Sequence, residues 1–306
     1  MSLTVSKTDP LQQVLAQVRQ ESSNEDLTGL TEGDIRRLAT DMWAWASGVA
    51  PGKQDARVVV EPAGENGPLQ RAILEAAGPD MPFLVDSLLG ECAVAGHEVK
   101  TLFHPIVNLE DGQCVSVIQI HLPLMTAVEG KKLAQEVRKT LGSVQEVVTD
   151  FEPMKERMKA EIEGIGQLKT LAYDDTRETI AFLEWLLEEH FVFLGCREYH
   201  FETDANGRVL PEEPIMIEGS NLGILRDEQL NVLSRDSEPL MLTPEISDLL
   251  AEPFPMFVAK STLVSRVHRR VKCDYIGIKK YGADGKVKPM TKQRGPFRLF
   301  ADGSRK

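Results

Sequence analysis

The residues whose types and spacing could do chemistry are few, and the best placed lie at Ala77-Gly78-Pro79-Asp80-Met81. This loop joins a short apolar strand at 71–77 to the start of an amphipathic helix. Unpaired backbone N–H groups and the positive end of the helix dipole therefore point into it. Gly78 permits close backbone approach. A free carboxylate would meet the helix N–H groups, and an ammonium would find an acceptor in Asp80. Gly78, Asp80, Met81 and Phe83 are accordingly the candidate effector-binding residues. The same stretch has a purely structural reading, in which Gly78-Pro79 shapes a turn and Asp80 caps the helix with Pro82 in its first turn.

Other motifs carry less. His97, His104 and His121 fall on or near neighbouring strands and read as hydrogen-bonded sheet residues, because no carboxylate sits at ligand spacing. Cys92, Cys114, Cys196 and Cys273 are widely separated and read as core or sheet residues. No metal site is expected. Ser87 lacks the glycines of a nucleophile elbow. Gly164-Ile-Gly166 with Lys169 lacks the third glycine and the preceding strand of a dinucleotide-binding turn. His268 with Arg269 and Arg270 reads as a solvated strand end before an anion site. No catalytic residue is expected in this chain.

The elements that must position these residues follow from periodicity. Residues 1–52 read as a helical segment, ended by Ala50-Pro51-Gly52. In 53–152, an extra strand at 57–61 precedes the strand at 71–77. A helix follows in which Phe83, Leu84, Leu88, Cys92 and Ala95 recur at helical spacing up to Gly96. Strands at 98–109 and 114–122 form a hairpin across Asp111-Gly112. A helix at 126–141 then leads to a last strand at 144–151. The order is β-α-β-β-α-β, the ferredoxin-like plan. Residues 153–190 read as a helical connector, with a charged helix at 152–168 and a second helix capped at Asp175-Thr-Arg-Glu178. Two helices between two sheets could fix or transmit relative domain position. Residues 191–306 switch to period two, with strands at 191–201, 214–218, 222–225, 256–264, 272–281 and 287–300 and a helix at 243–251. Three strands after the helix fit a PAS-like sensor better than a second β-α-β-β-α-β unit, which stays open if one strand is split wrongly. The final strand is expected to fray.

Several blocks together carry a resemblance: DMPFLVDSLL at 80–89, HPI at 104–106, SVIQIHLP at 116–123, FLEWLLEEHFVFLGCREY at 182–199, LGILR at 222–226 and KSTLVSRVHRRVKCDYIGIKKY at 260–281. In this order they resemble the N-terminal region of the large bacterial NAD-dependent glutamate dehydrogenases. The resemblance implies an α+β fold, an ACT-like domain followed by a PAS-like or second ACT-like domain, joined by helices. It implies a regulatory and oligomerisation segment whose catalytic domain lies far downstream. The parent would oxidatively deaminate L-glutamate to 2-oxoglutarate and ammonia, with NAD as cofactor of the parent and none in this segment. In ACT-like domains amino acids commonly bind at the loop that corresponds to 77–81, often where two domains pack side by side. The expected partners are thus the rest of the parent polypeptide, further copies of the chain and an amino-acid effector. The tail from Gly295 departs from the family's usual continuation.

Composition bounds the alternatives. Hydrophobic residues make up 42% of 306, enough for real cores, and no window approaches the roughly 20 apolar residues of a membrane span. The first residues lack the features of a signal peptide, so a cytoplasmic protein without a membrane partner is expected. Net charge is −12, but residues 260–306 hold 14 Lys/Arg against 3 Asp/Glu, leaving 21 against 44 in the remainder. With Tyr275, Tyr281, Phe297 and Phe300 interleaved, a nucleic-acid surface is conceivable. Strand alternation opposes it, since Arg269-Arg270 and Lys279-Lys280 are adjacent and half of each pair points the other way. A free-standing amino-acid sensor is the stronger alternative to an enzyme segment, and nucleic-acid binding the weaker.

Overall fold

The chain opens with two helices, α1 (Pro10–Glu21) and α2 (Glu32–Ala46), in a computed structural model that describes residues 9–21, 30–61, 71–167, 173–202, 215–230, 254–279 and 294–305. Thr31 caps α2: its hydroxyl accepts from Asp34 N–H, and the Asp34 carboxylate accepts from Thr31 N–H. Backbone contacts divide the chain into two units, Met1–Val144 and Gln145–Lys306.

The first unit is built on an antiparallel sheet of β1 (Asp55–Glu61), β2 (Arg71–Pro79), β3 (Thr101–Phe103), β4 (Ile106–Asn108) and β5 (Cys114–Pro123). The order is β1-β2-β5-β3, with β4 also on β5. The expected strand at 98–109 is interrupted at His104-Pro105, where proline cannot donate to the ladder. Helix α3 (Leu84–Val94) follows β2, and α4 (Ala127–Gly166) follows β5. One face of the sheet, with Ala77, Phe103 and Val117, meets Val14, Leu15, Ala39 and Met42 of α1 and α2. On the other, Val58 and Val60 meet Gly130 of α4. The Thr140 hydroxyl donates to the buried Glu91 carboxylate and ties α4 to α3.

The last strand expected at 144–151 does not form. Those residues continue α4, because Val144, Val147, Phe151 and Met154 recur at helical spacing and all but half-buried Phe151 are fully buried. Their β-branched character suggested a strand, but the period decided otherwise. The edge place beside β2 is filled from the N-terminal side by β1, so the observed order is β-β-α-β-β-β-α, with β3 and β4 the two halves of the interrupted strand. The cap assigned to Asp80 is also corrected. Helix α3 starts at Leu84, its N-cap is Phe83 in the left-handed region (φ 71°) without a side-chain cap, and Pro82 lies in the turn before it.

In the second unit, α5 (Tyr173–Trp185) begins before the expected cap, so Asp175 lies inside its first turn. A π-helical turn, Leu186–His190, leads into a second antiparallel sheet. Its strands are β6 (Phe191–Glu202), β7 (Ile215–Met216), β8 (Leu222–Gly223), β9 (Met256–Val264), β10 (Lys272–Lys279) and β11 (Arg294–Arg305). They are ordered β7-β6-β11-β10-β9, with β8 on β6. β11 is not a frayed edge: it lies between β6 and β10 and pairs with both. The helix expected at 243–251 and the start of the strand expected at 287 lie outside the described residues. Phe193, Cys196, Ile276 and Ile278 of this sheet pack with Met154, Met158, Leu183 and Leu186 of the helices. No helix among the described residues is long and apolar enough to cross a membrane.

Candidate functional site

Gly78 lies within β2, paired with Ser116, and is buried. A Cβ there would come within 2.6 Å of Gln54 Cγ and 3.0 Å of Lys53 O, so its open side is filled by the Lys53-Gln54 stretch. With Pro79 it borders a cleft of about 190 Å³ beside Trp43, Lys53 and Leu109. Asp80 is exposed, and its N–H donates to Cys114 O at 3.3 Å. Met81 Sδ accepts from Gln54 Nε2 at 3.5 Å. Phe83 O accepts from Ser87 N–H and hydroxyl. Of the four candidates Gly78 alone borders that cleft, and Asp80, Met81 and Phe83 follow one another along the surface turn.

A second and larger site was not anticipated. β2 and β5 are buried on both faces, yet the face toward α2 carries a chain of polar side chains. Register places Arg57 opposite Glu75 and Glu75 opposite Gln119. Glu75, with a side chain 3% exposed, accepts from Arg57 Nε at 2.5 Å and from Gln119 Nε2 at 2.9 Å. Gln119 Oε1 faces His121 Nε2 at 3.0 Å, and His121 Nδ1 faces Arg71 Nη1 at 3.2 Å. Arginine can only donate, so Nδ1 accepts and Nε2 carries the proton. Burial, reinforced by Arg71, pushes the His121 pKa down to about 3. The imidazole is thus neutral at physiological pH.

This polar chain surfaces at a cleft of about 450 Å³ between α2 and the β1–β2 edge. Arg37, Asp41, Arg57 and Glu75 supply its charges, and Leu38, Val59 and Ile73 its apolar floor. The Arg57 guanidinium lies over the Trp45 ring, 4.8 Å from its centre. Its Nη2 reaches Asp41 O at 3.4 Å. The sequence signal was present: a charge inside the run Arg71-Ala-Ile-Leu-Glu75, matched by Gln119 and His121 in Ser116-Val-Ile-Gln-Ile-His121. Which face those groups share was not legible without the register.

In the second unit, buried Arg197 spends its five N–H donors on the Asn221 side chain, the Tyr199 hydroxyl and the carbonyls of Leu225, Asp227 and Leu230. Asp150, its side chain 4% exposed, accepts from Arg226 Nε and Nη2 at 2.5 and 2.8 Å and from Gly223 N–H at 2.7 Å. These hydrogen bonds hold its carboxyl below the usual range. Arg157 donates to Ser220 O. Asp150 and Arg197 therefore fasten the LGILR block, and Arg157 holds the residue two places before it. Gly223 there has φ 58°, and a Cβ would lie 2.1 Å from Leu194 O.

The remaining candidates are dispersed. His104 Nε2 meets Ser116 Oγ at 2.7 Å, and His97 lies in the connection after α3. Cys92, Cys196 and Cys273 are buried, burial raising the Cys92 thiol to about 11, whereas Cys114 is exposed. Gly164 and Gly166 end α4, and Lys169 lies outside the described residues. His268 takes a left-handed conformation (φ 62°) in the connection between β9 and β10. Among the described residues no three His, Cys, Asp or Glu form a group able to hold a metal ion.

Residues 14–160 match the family described as glutamate dehydrogenase, ACT1 domain. The chain is 29% identical over 237 residues to the NAD-specific glutamate dehydrogenase of Pseudomonas aeruginosa, covering 70% of the chain and 14% of that protein. It is 27% identical over 285 residues to the NAD-specific glutamate dehydrogenase of Halomonas elongata, covering 86% of the chain and 17% of that protein. These matches bear out the resemblance read from the sequence blocks, and the chain spans a small fraction of the relatives' length.

Proposed function

We propose, for a chain whose residues 14–160 match the glutamate dehydrogenase ACT1 domain, that it is a non-catalytic regulatory and oligomerisation segment of an NAD-dependent glutamate dehydrogenase. The ACT1 match is the observation that carries this reading. The parent reaction would be oxidative deamination of L-glutamate to 2-oxoglutarate and ammonia, with NAD bound elsewhere in the parent. The most buried polar groups of the segment support a structural, non-catalytic role. His121 is neutral with both nitrogens engaged, and Arg197 has every donor occupied, so neither is poised for proton transfer or anion capture.

Further features support the finer parts of the reading. The second unit is PAS-like: its sheet is antiparallel throughout, and three strands follow the segment between β8 and β9. Assembly would use sheet edges, since β1 pairs only with β2 and β9 only with β10 among the described residues. An amino acid is the effector the ACT-like unit would sense.

Purified chain supplied with L-glutamate and NAD should form no NADH. NADH formation that a substitution within the chain abolishes would overturn the reading. Deleting the segment from the parent should preserve NADH-forming chemistry while changing subunit number or response to amino acids.

A further inference from the structure

We infer that the cleft between α2 and the β1–β2 edge, and not the loop at 77–81, is where this unit binds a free α-amino acid as its zwitterion. The inference rests on the effector reading above and adds the site. Its volume of about 450 Å³ lies within the usual span of small-ligand pockets. Its charges balance: Arg37 and Arg57 against Asp41 and Glu75. A site of zero formal charge suits a small ligand that carries both signs, and it offers no positive excess for a phosphate or a nucleotide.

Donor and acceptor positions sort the two ends of the ligand. Arg57 has five N–H donors and uses two, on Glu75 and on Asp41 O, leaving three. Its side chain is 34% exposed and lines the cleft, so a ligand there can reach it. Glu75 and Trp45 hold the guanidinium in place, which preorganises it for a carboxylate. Glu75 is 3% exposed and committed to Arg57 and Gln119, so the ammonium acceptor is the Asp41 carboxylate, 60% exposed and 3.6 Å from Arg37. Leu38, Val59 and Ile73 floor the cleft and favour an apolar or uncharged ligand side chain. The loop has no comparable set: Gly78 is closed off by Gln54, and helix α3 starts beyond Asp80.

The test titrates the whole 306-residue chain with each common amino acid, following Trp fluorescence and calorimetric heat. One or a few amino acids should bind, with a fluorescence change that vanishes in Trp45→Phe. Arg57→Gln should weaken the Kd at least about tenfold. Because Arg57 also pairs with buried Glu75, the second variant is Asp41→Asn, a surface change that keeps the backbone carbonyl under Arg57. It too should weaken binding about tenfold. Binding unchanged in both variants, or lost only in Asp80→Ala, would overturn the cleft assignment while leaving the effector reading intact. No binding of any amino acid to the 306-residue chain would overturn both.

Discussion

Removing Arg226 should reverse the pH dependence of the second unit's stability. In the native protein the buried Asp150 carboxylate is held below the ordinary aspartate range, chiefly by its hydrogen bonds with Arg226 and by Gly223 N–H, against the opposing effect of burial. An acid whose folded pKa is depressed stabilises fully above its unfolded pKa of about 3.9, and that contribution is lost as pH falls through the folded value. In Arg226→Met the same carboxylate stays buried with Gly223 N–H as its remaining hydrogen bond. Desolvation then dominates and raises the folded pKa, so stability falls as pH rises above about 4. At pH 7 the variant should lose about 2–4 kcal/mol, below the full cost of stranding one member of a buried ion pair because Arg226 is 50% exposed and water can reach the place it leaves. Asp150→Asn should cost less, about 1–3 kcal/mol, because Asn still accepts from Gly223 and Arg226, 50% exposed, can turn to water. The assay is urea denaturation between pH 3 and 8, with Trp43 and Trp45 replaced by Phe so that Trp185 reports the second unit alone. Equal pH slopes in native protein and Arg226→Met, or a larger loss in Asp150→Asn at pH 7, would refute the reasoning.

Further outcomes are expected. His121, with its pKa near 3, should show no imidazole NMR titration between pH 5 and 8. Its unfolded state takes up a proton that the folded state refuses, so stability should fall as pH drops from about 6.5 toward 3. His121→Gln should flatten that part of the profile. Gly223→Ala should cost more than about 4 kcal/mol by chemical denaturation, since a Cβ at φ 58° would meet Leu194 O at 2.1 Å. Arg197→Met should cost roughly 3 kcal/mol or more by orphaning the carbonyls of Leu225, Asp227 and Leu230. Limited proteolysis should then cut first within 222–230. Light scattering on the chain should show assemblies larger than one subunit, and a strict monomer at high concentration would count against edge pairing.

Local patterning was enough for much of this protein. The spacing of Leu84, Leu88 and Cys92 announced α3, and Asp111-Gly112 announced the hairpin into β5. These rest on contacts between near neighbours in the chain, which sequence spacing encodes directly. The blocks at 80–89, 104–106 and 116–123 likewise sufficed for the resemblance that the ACT1 match bears out. Tertiary structure decided the rest. Val144-Gln-Glu-Val-Val148 has strand-forming residues on a helical period, and burial of Val144 and Val147 in α4 settled the conflict. β1 took the sheet edge beside β2 that the lost strand would have filled, which no local signal specified. The cleft of Arg37, Asp41, Arg57 and Glu75 depends on register between β1, β2 and β5 and on α2 lying across that face. A one-residue slip would send Arg57 and Glu75 to the opposite side. Pairing between distant segments is set by the whole buried surface at once, and so the site became legible only in the folded chain.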